Sequence, residues 1–311
     1  MAISAQTFDE YKRYLWGMCY RMTGSAADAD DIVQDTFVRA LEKPPTDTDA
    51  PLRPWLVKVA MNLSRDQLRR RRRREYFGPW LPAPVPTEGD DGFVLDHRAV
   101  MDGTPDTRYD LMESVNMAFL LALEALTPAQ RAVLLLRDVF DYSTNETAEA
   151  LEMSEANIKV TLHRARRTME SYDKNRVSNF SQRAGELRDI LQRFLSLLTT
   201  GDVQGLTKML AADVVLVSDG GGEVNALAEP MFGREKVLRL IEKLYQANRD
   251  VTSTSLRNVN AEPSILIDRS RVRPGHASFF TMHCELNESS QIRRFNFVFA
   301  PSKLAALKQP A

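Results

Sequence analysis

Residues 127 to 169 read TPAQRAVLLLRDVFDYSTNETAEALEMSEANIKVTLHRARRTM, and this stretch decides the fold. Thr127 stands three residues before Gln130, and Ser143 stands three residues before Glu146. Both pairs have the pattern of a capping box, in which two side chains satisfy free backbone N–H groups at a helix start. The stretch therefore predicts three helices. The last two are joined by a turn so short that they must cross steeply, which is helix-turn-helix spacing.

The last predicted helix, over 155–169, has an apolar face and a cationic face. Its apolar residues are Ile158, Leu162 and Met169. The cations on the opposite side are Lys159, His163, Arg164, Arg166 and Arg167. A helix that packs through the first set presents the second to nucleic acid. The alternative is an amphipathic helix pair with a solvated basic face.

The turn before this helix departs from the usual pattern. Such a turn commonly needs a residue in the left-handed conformation, which glycine adopts most easily, yet Glu152 occupies this place. Ser154 follows as a candidate cap for the last helix. Ala148 is small enough to let the two helices cross, and Met153 fills the turn. The turn therefore predicts a strained glutamate.

The whole chain has 311 residues and a net charge of −1, enough for two or three domains. The small net charge hides a segregation, because residues 58–74 carry eight basic side chains and residues 88–113 carry eight acidic ones. Two such blocks indicate different electrostatic partners. The two cysteines, Cys19 and Cys284, and the lack of a signal peptide or long apolar run predict a cytoplasmic protein with free thiols.

Residues 8–43 predict two helices, broken at Gly24, and the second helix begins with an acidic run. Asp28, Asp31 and Asp35 recur every three or four residues and so share one face, with Gln34 at its edge. The run indicates an acidic surface that docks a protein. The alternative is that the acids only complement the helix dipole.

A third predicted helix, over 54–74, ends in six consecutive arginines. Its predicted apolar stripe is Trp55, Val59, Leu63 and Leu68. The residues predicted off that stripe are Lys58, Asn62, Arg65, Asp66 and Arg69. Because adjacent guanidinium groups repel one another, such a run favours a phosphate-bearing partner. A solvated tail is the alternative.

Three of these segments, DADDIVQDTFVRA, PWLVKVAMNLSRDQLRRRRR and STNETAEALEMSEANIKVTLHRARR, follow one another in this order. Together they resemble regions two and four of the extracytoplasmic-function (ECF) sigma factors, the promoter-recognition subunits of bacterial RNA polymerase. The resemblance covers residues 8–172. It implies that the partners are the polymerase core and promoter DNA, with no cofactor and no membrane.

The resemblance also implies roles for individual residues. The polymerase core would be contacted by Asp31, Gln34 and Asp35. The melted minus-ten strand would be held by Trp55, Asn62, Asp66, Arg69 and Arg70. The minus-thirty-five element would be met by Lys159, His163, Arg164 and Arg166, with Arg166 on phosphates.

Residues 76–113 are predicted to link the two helical regions. The segment YFGPWLPAPVP is locked by proline, so it predicts a stiff extended strap with Trp80 and Leu81 packed on another surface. The acidic part that follows has few residues able to build a core. Our hypothesis is that this part mimics a nucleic-acid backbone through Asp90, Asp91 and Asp96.

The GPWLP segment resembles the linker of the ECF group that carries a fused SnoaL-like domain. Residues 187–307 agree, since predicted helices precede strand-like runs rich in β-branched and aromatic residues. The implied fold is an α+β, NTF2-like cone. The group's regulatory DGGG motif is present at Asp219, Gly220, Gly221 and Gly222. Glu223 replaces a usual lysine, and only Pro301 and Lys303 remain of the C-terminal motif, whose preceding asparagine and intervening aspartate are missing here.

The fold class predicted is therefore multidomain, with two all-α sigma domains at 1–75 and 114–172, the 76–113 linker and the α+β domain at 187–307. Candidate acid–base residues are Asp219, Asp268, His276, His283 and Arg293. These residues form no pair at catalytic spacing, and adjacent His283 and Cys284 point to opposite strand faces, so no catalytic or metal site is predicted. A small-molecule pocket without chemistry stays open.

The sequence thus predicts an RNA polymerase sigma factor that directs promoter-specific initiation and is regulated by intramolecular contact with its own SnoaL-like domain. Two alternatives remain. One is a ligand-sensing helix-turn-helix regulator that binds operators without polymerase. The other is an enzyme of the SnoaL type with an added DNA-binding module.

Overall fold

The computed structural model describes residues 5–43, 51–73, 76–87, 107–175, 180–247, 251–270 and 272–308. The chain divides into two compact units. Unit 1 comprises Met1–Glu75 and Gly89–Arg176, and unit 2 comprises Tyr76–Glu88 and Val177–Ala311. The acidic segment with Asp90, Asp91 and Asp96 lies outside the described residues, so the backbone-mimic hypothesis stays a prediction.

Unit 1 is helical over its described residues. Its helices are α1 Ala5–Thr23, α2 Ala26–Glu42, α3 Leu52–Arg73, α4 Met117–Leu123, α5 Pro128–Asp138, α6 Thr144–Leu151 and α7 Glu155–Asn175. Both predicted capping boxes are confirmed, at Thr127 for α5 and at Ser143 for α6. The predicted cap on α7 is also present, since Ser154 Oγ accepts from the backbone N–H of Asn157 at 3.3 Å.

The steep turn between α6 and α7 contains the predicted left-handed residue. Glu152 has φ 55° and ψ 47°. The side chains of Ile158, Leu162 and Met169 on α7 are buried as predicted. Four of the five predicted cations, Lys159, His163, Arg164 and Arg167, are exposed as predicted, whereas Arg166 is half-buried.

Of the predicted apolar stripe of α3, Leu68 is buried as predicted, and the other three positions are wrong by one residue along the helix. Its buried residues are Leu56, Val57, Ala60, Met61, Ser64 and Leu68. Trp55, Val59 and Leu63 are only half-buried. The reason is that α3 packs against α1 and α2 on one side and against α5 and α6 on another, so its buried face is wider than a single stripe.

Buried arginines join α1–α3 to the later helices of unit 1. The fully buried Arg21 donates from Nε to Ser114 Oγ at 2.7 Å and from Nη2 to the Leu111 carbonyl at 3.0 Å. Burial lowers the pKa of Arg21 to about 9. A second group centres on Glu124, whose carboxylate lies 2.7 Å from Arg71 and 2.8 Å from Arg131. These contacts pack the two helical regions as one unit.

Unit 2 is an α+β domain, as predicted. Its helices are α8 Phe180–Thr200, α9 Val203–Met209, α10 Arg234–Ala247 and α11 Ala305–Lys308. Its strands are β1 Leu210–Asp219, β2 Met231–Phe232, β3 Val251–Val259, β4 Glu262–Arg269, β5 Phe279–Leu286 and β6 Ile292–Val298. They form one sheet in the order β2-β1-β6-β5-β4-β3.

The two faces of this sheet have different partners. One face carries apolar side chains that pack with α8 and α10, including Leu216, Ile265, Met282 and Phe297. Because side chains alternate along a strand, Asp219 and its neighbour Ser218 point to opposite faces. The strap, which we define as residues 76–87, joins unit 2 through Asp219 near its beginning and through hydrogen bonds of Val85 and Thr87 to residues 258–261 at its end.

The predicted 76–113 linker is therefore divided. Its proline-locked part, the strap, belongs to unit 2, and the residues from Thr107 onward belong to unit 1. Trp80 is half-buried and Leu81 is fully buried, in agreement with the predicted packing.

Both cysteines are buried and free. None of the helices in the described ranges is long and apolar enough to cross a membrane.

Candidate functional site

The predicted docking face on α2 is exposed. Asp31, Gln34 and Asp35 lie on the solvent side, because Ile32, Val33 and Thr36 fill the core side of the helix. Two large apolar residues continue the same face one and two turns later. Val38 is 44% exposed and Leu41 is 65% exposed. Apolar groups beside carboxylates are typical of a protein interface.

The candidate minus-ten residues on α3 differ in availability. Arg69 and Arg70 are exposed, and Arg69 contacts Asp66 at 2.7 Å. Trp55 and Asn62 are half-buried, and Asn62 Oδ1 accepts from Arg65 at 3.2 Å. The arginine-rich end of α3 is thus open to solvent, while its beginning is partly covered.

The cover over α3 comes from the helix-turn-helix itself. Lys58 Nζ lies 2.8 Å from a carboxylate oxygen of Glu152, the left-handed turn residue. About two turns of helix further on, Arg65 donates to the Leu151 carbonyl at 3.3 Å. The turn between α6 and α7 therefore closes against the helix that would hold the melted strand.

On α7, Lys159, His163 and Arg164 are exposed on one side of the helix. Val160, between Lys159 and His163 in sequence, is 49% exposed. Arg166 differs from the prediction. Its guanidinium binds the carboxylate of Asp138, from Nη2 at 2.6 Å and from Nε at 2.9 Å, so its primary contact is internal to unit 1.

In unit 2, the predicted regulatory motif surrounds a buried ion pair. Asp219 is fully buried, and one of its carboxylate oxygens lies 2.6 Å from Lys303 Nζ. The same carboxylate accepts from Tyr76 Oη at 2.6 Å and from the Leu81 backbone N–H at 2.7 Å. Lys303 in turn donates to the Leu81 carbonyl at 2.6 Å. The ion pair therefore binds both polar backbone groups of Leu81 in the strap.

Aromatic rings complete this strap cluster, which comprises Tyr76, Trp80, Leu81, Asp219 and Lys303. The Lys303 ammonium lies 4.8 Å from the Tyr76 ring centroid and 4.5 Å from that of Trp80. Cation–π contacts of this kind are strongest where the cation is shielded from water, and the Lys303 side chain is only 13% exposed. The strap is thus held at its aromatic end by charge.

The glycines of the motif turn the chain sharply next to this cluster. Gly221 has φ +63° and Gly222 has φ +75°, which suits glycine. The Gly221 N–H donates to Asp219 at 2.9 Å. The two departures from the family motif meet here, because the Glu223 carboxylate accepts from the Ser302 backbone N–H at 3.2 Å and from its hydroxyl. Where the family pattern has a lysine and an aspartate, this chain pairs a glutamate with a serine.

The five acid–base candidates are scattered. Asp219 holds the strap, Asp268 accepts from Ser253, and Arg293 pairs with Glu285. Buried His283 bonds to Ser264 at 2.8 Å, and burial lowers its pKa to about 3. Only His276 of the five lines the cavity of unit 2 in the described chain.

Comparison with known proteins places this geometry in a family. The Sigma-70 region 2 family matches residues 7–74, and the Sigma-70, region 4 family matches residues 116–169. The ECF RNA polymerase sigma factor SigJ of Mycobacterium tuberculosis is 32% identical over 241 residues, covering 77% of this chain and 72% of SigJ. The chain belongs to the ECF RNA polymerase sigma factors.

Other ECF sigma factors are similar over different lengths. SigG of Mycobacterium tuberculosis is 34% identical over 227 residues, which cover 68% of this chain and 60% of SigG. The crystal structure of Mycobacterium tuberculosis SigJ aligns with 97% of this chain and 99% of that chain, with a TM-score of 0.71 and 24% identity. This likeness extends through both units, so the ECF sigma factor described here shares the fold of SigJ beyond the two sigma regions.

Proposed function

We propose that this ECF sigma factor brings bacterial RNA polymerase core to selected promoters and that unit 2 regulates it through the strap. The observation that carries the proposal is the coexistence of three surfaces on one chain. These are the acidic and apolar face of α2, the arginine-rich end of α3 and the cationic face of α7. The first of these surfaces suits binding to a protein, the second binding to unpaired bases, and the third binding in the groove of duplex DNA.

Promoter binding requires unit 1 to open. The minus-ten and minus-thirty-five elements lie about 25 base pairs apart, or about 80 Å of duplex. Lys58 and Glu152 touch at 2.8 Å. Arg70 and Arg164 each lie 12 residues from one of these two, which is about 18 Å along a helix. With the lengths of the Lys58 and Glu152 side chains added, the two DNA surfaces are within about 50 Å of each other, too close to reach both elements.

The strap supplies the connection between opening and unit 2. Only Arg74 and Glu75 separate the end of α3 from Tyr76. Because this tether along the chain is short, unit 2 is present at a high effective concentration near region two. Even an intrinsically weak interaction of unit 2 with the sigma regions would then suffice to regulate promoter binding. The ion pair of Asp219 and Lys303 maintains that tether.

We propose no catalytic role for unit 2. Its cavity is lined, within the described residues, by no aspartate or glutamate. General acid–base chemistry on a bound substrate needs a proton donor or acceptor within hydrogen-bond reach, and the only titratable lining groups are Arg269 and the exposed His276.

Charge reversal on α2 tests the polymerase interface. We expect Asp31→Lys with Asp35→Lys to weaken binding of the full chain to purified core polymerase by about tenfold or more, because like charges would face each other across the interface. Asp213→Lys, an exposed change on β1, is the matched control. Co-elution and a titrated binding assay give the affinities. Equal affinities for both variants would refute the assignment of the α2 face.

Neutralising the exposed cations of α7 tests the duplex interface. We expect Lys159→Ala or Arg164→Ala to weaken promoter binding by the holoenzyme by about 1–3 kcal/mol for a base contact. Lys236→Ala removes an exposed charge from α10 and should leave binding unchanged. Competition among genomic fragments selected by the holoenzyme provides the measurement. An unaltered fragment preference in both α7 variants would contradict the placement.

A further inference from the structure

Unit 2 encloses a cavity of about 920 Å³ between the sheet and helices α8 and α10. This volume lies in the range of pockets that hold small molecules. Its closed end is formed by buried apolar residues, among them Phe194, Leu216, Ile265, Met282 and Phe297. A packed domain does not need such a void, because an empty apolar cavity costs stability. The closed end suits an apolar ligand body.

The open end of the cavity carries a positive charge. Leu244, Val251 and His276 line the cavity and are exposed, so the opening lies on their side. Arg269 stands there at the end of β4, paired in register with Val251. It is the sole formally charged residue among the described lining residues.

The Arg269 side chain is half-buried where it lines the cavity. Its Nε is inaccessible to solvent and makes no hydrogen bond among the described residues, so a ligand would meet the rest of the guanidinium group. A positive charge that is partly removed from water favours an anionic partner. A carboxylate matches the planar guanidinium best, since it can accept two parallel N–H bonds.

The wall of the cavity on the other side belongs to residues 225–227, which follow the glycine turn. The Leu227 N–H donates to Ser218 Oγ at 2.8 Å, inside the cavity wall. The outer side of the same segment touches the strap. Gly78 has φ +77°, and a Cβ there would lie 3.4 Å from the Leu227 carbonyl oxygen. One short segment thus separates the cavity from the strap.

A second path runs through β1 itself. Ser218 lines the cavity, and the next residue, Asp219, holds Tyr76, Leu81 and Lys303 on the opposite face of the sheet. A ligand that displaces Ser218 from its bond to Leu227 would therefore strain two neighbouring attachments of the strap. Packed segments of this kind respond to a ligand by switching between arrangements.

We propose that the cavity of unit 2 binds an amphiphilic carboxylate, with its chain among the apolar residues and its head on Arg269, and that occupancy loosens the strap through residues 225–227. The binding step does not depend on polymerase. The regulatory step rests on the proposed function, and the two are measured separately.

Binding is tested on the full chain with 11-(dansylamino)undecanoic acid, a fluorescent fatty acid, and with its uncharged methyl ester. We expect saturable binding of the acid. We also expect Arg269→Gln to weaken the acid by about tenfold while leaving the ester unchanged, because only the acid uses the guanidinium. Arg239→Gln, on the exposed side of α10, is the control. If binding of the acid does not saturate, or if Arg269→Gln weakens binding of the acid and the ester equally, the proposed site is wrong.

A second variant tests the same cavity without changing its charge. Leu198→Trp places a larger ring at a half-buried lining position and should abolish binding of both probes. Hydrogen exchange of residues 76–87 then reads out the coupling. The acid should speed exchange of the strap in the wild-type chain by about threefold or more and have no effect in Leu198→Trp. Binding without any change in strap exchange would disprove the coupling.

Discussion

Replacing Asp219 with alanine should release the aromatic end of the strap and destabilise unit 2 by about 3 kcal/mol, the cost of stranding one partner of a buried ion pair. Four donors would lose this acceptor at once, namely Lys303 Nζ, the Tyr76 hydroxyl and the backbone N–H groups of Leu81 and Gly221. Hydrogen exchange of residues 76–87 in the full chain is the direct measurement.

The matched control for this change is Asp213→Ala, which removes a carboxylate from the exposed part of the same strand. Its strap should exchange as slowly as that of the wild type. If Asp219→Ala leaves strap exchange unaltered, the ion pair does not hold the strap. If the strap is released but transcription by the holoenzyme equals that of the wild type, the regulatory part of the proposed function is wrong.

Replacing Glu124 with glutamine should destabilise unit 1 by about 3 kcal/mol. Glu124 is the carboxylate shared by Arg71 and Arg131, and the Arg131 side chain is only 2% exposed. Removing the negative charge leaves two guanidinium groups close together without compensation, one of them in a desolvated site. Asp66→Asn, at an exposed pair with Arg69, should cost less than about 1 kcal/mol. Urea unfolding compares the two.

The stability difference between the wild type and Glu124→Gln should depend on pH. Burial alone would raise the pKa of Glu124, but Arg131 and Arg71 together hold it below its ordinary value. A carboxyl whose pKa is depressed in the folded state stabilises the fold above the pKa of the unfolded chain, about 4.3, and this stabilisation is lost as pH falls through the folded value. The difference between wild type and Glu124→Gln should therefore be full at pH 7 and shrink below about pH 4. A difference that does not change with pH would contradict this assignment.

Local sequence signals proved sufficient for the helices of region four. The caps at Thr127, Ser143 and Ser154 act over three residues, and the left-handed turn at Glu152 follows from the length of the turn. Interactions of this range are encoded by neighbours in sequence. Hence their predicted and observed positions agree.

Long-range partners could not be predicted in the same way. The strap cluster joins Leu81 to Asp219 and Lys303 across 138 and 222 residues, and the sequence indicated only that Leu81 should be covered. Likewise, Arg166 is four residues beyond Leu162 on the helix, yet its orientation is decided by Asp138 of another helix. Helix α3 also packs against neighbours on two sides, so its buried face differs from the single apolar stripe that helical periodicity predicts.

The unpartnered Nε of Arg269 had no signature in the sequence either. Nothing in the strand-like run SILIDR distinguishes an arginine at a cavity opening from one in solvent. The void itself arises from how the sheet and the helices α8 and α10 meet, and that spacing is a property of the assembled domain. Sequence reasoning could therefore leave a pocket open as an option but could not locate it.

Glu152 has a consequence for how such chains can change over generations. Glycine would relieve the left-handed backbone at this turn, yet it would also remove the carboxylate that contacts Lys58. A mutation that improves the DNA-reading module in isolation would thus weaken its restraint in the intact protein. Selection for regulated output can therefore retain a residue that selection for stability alone would discard.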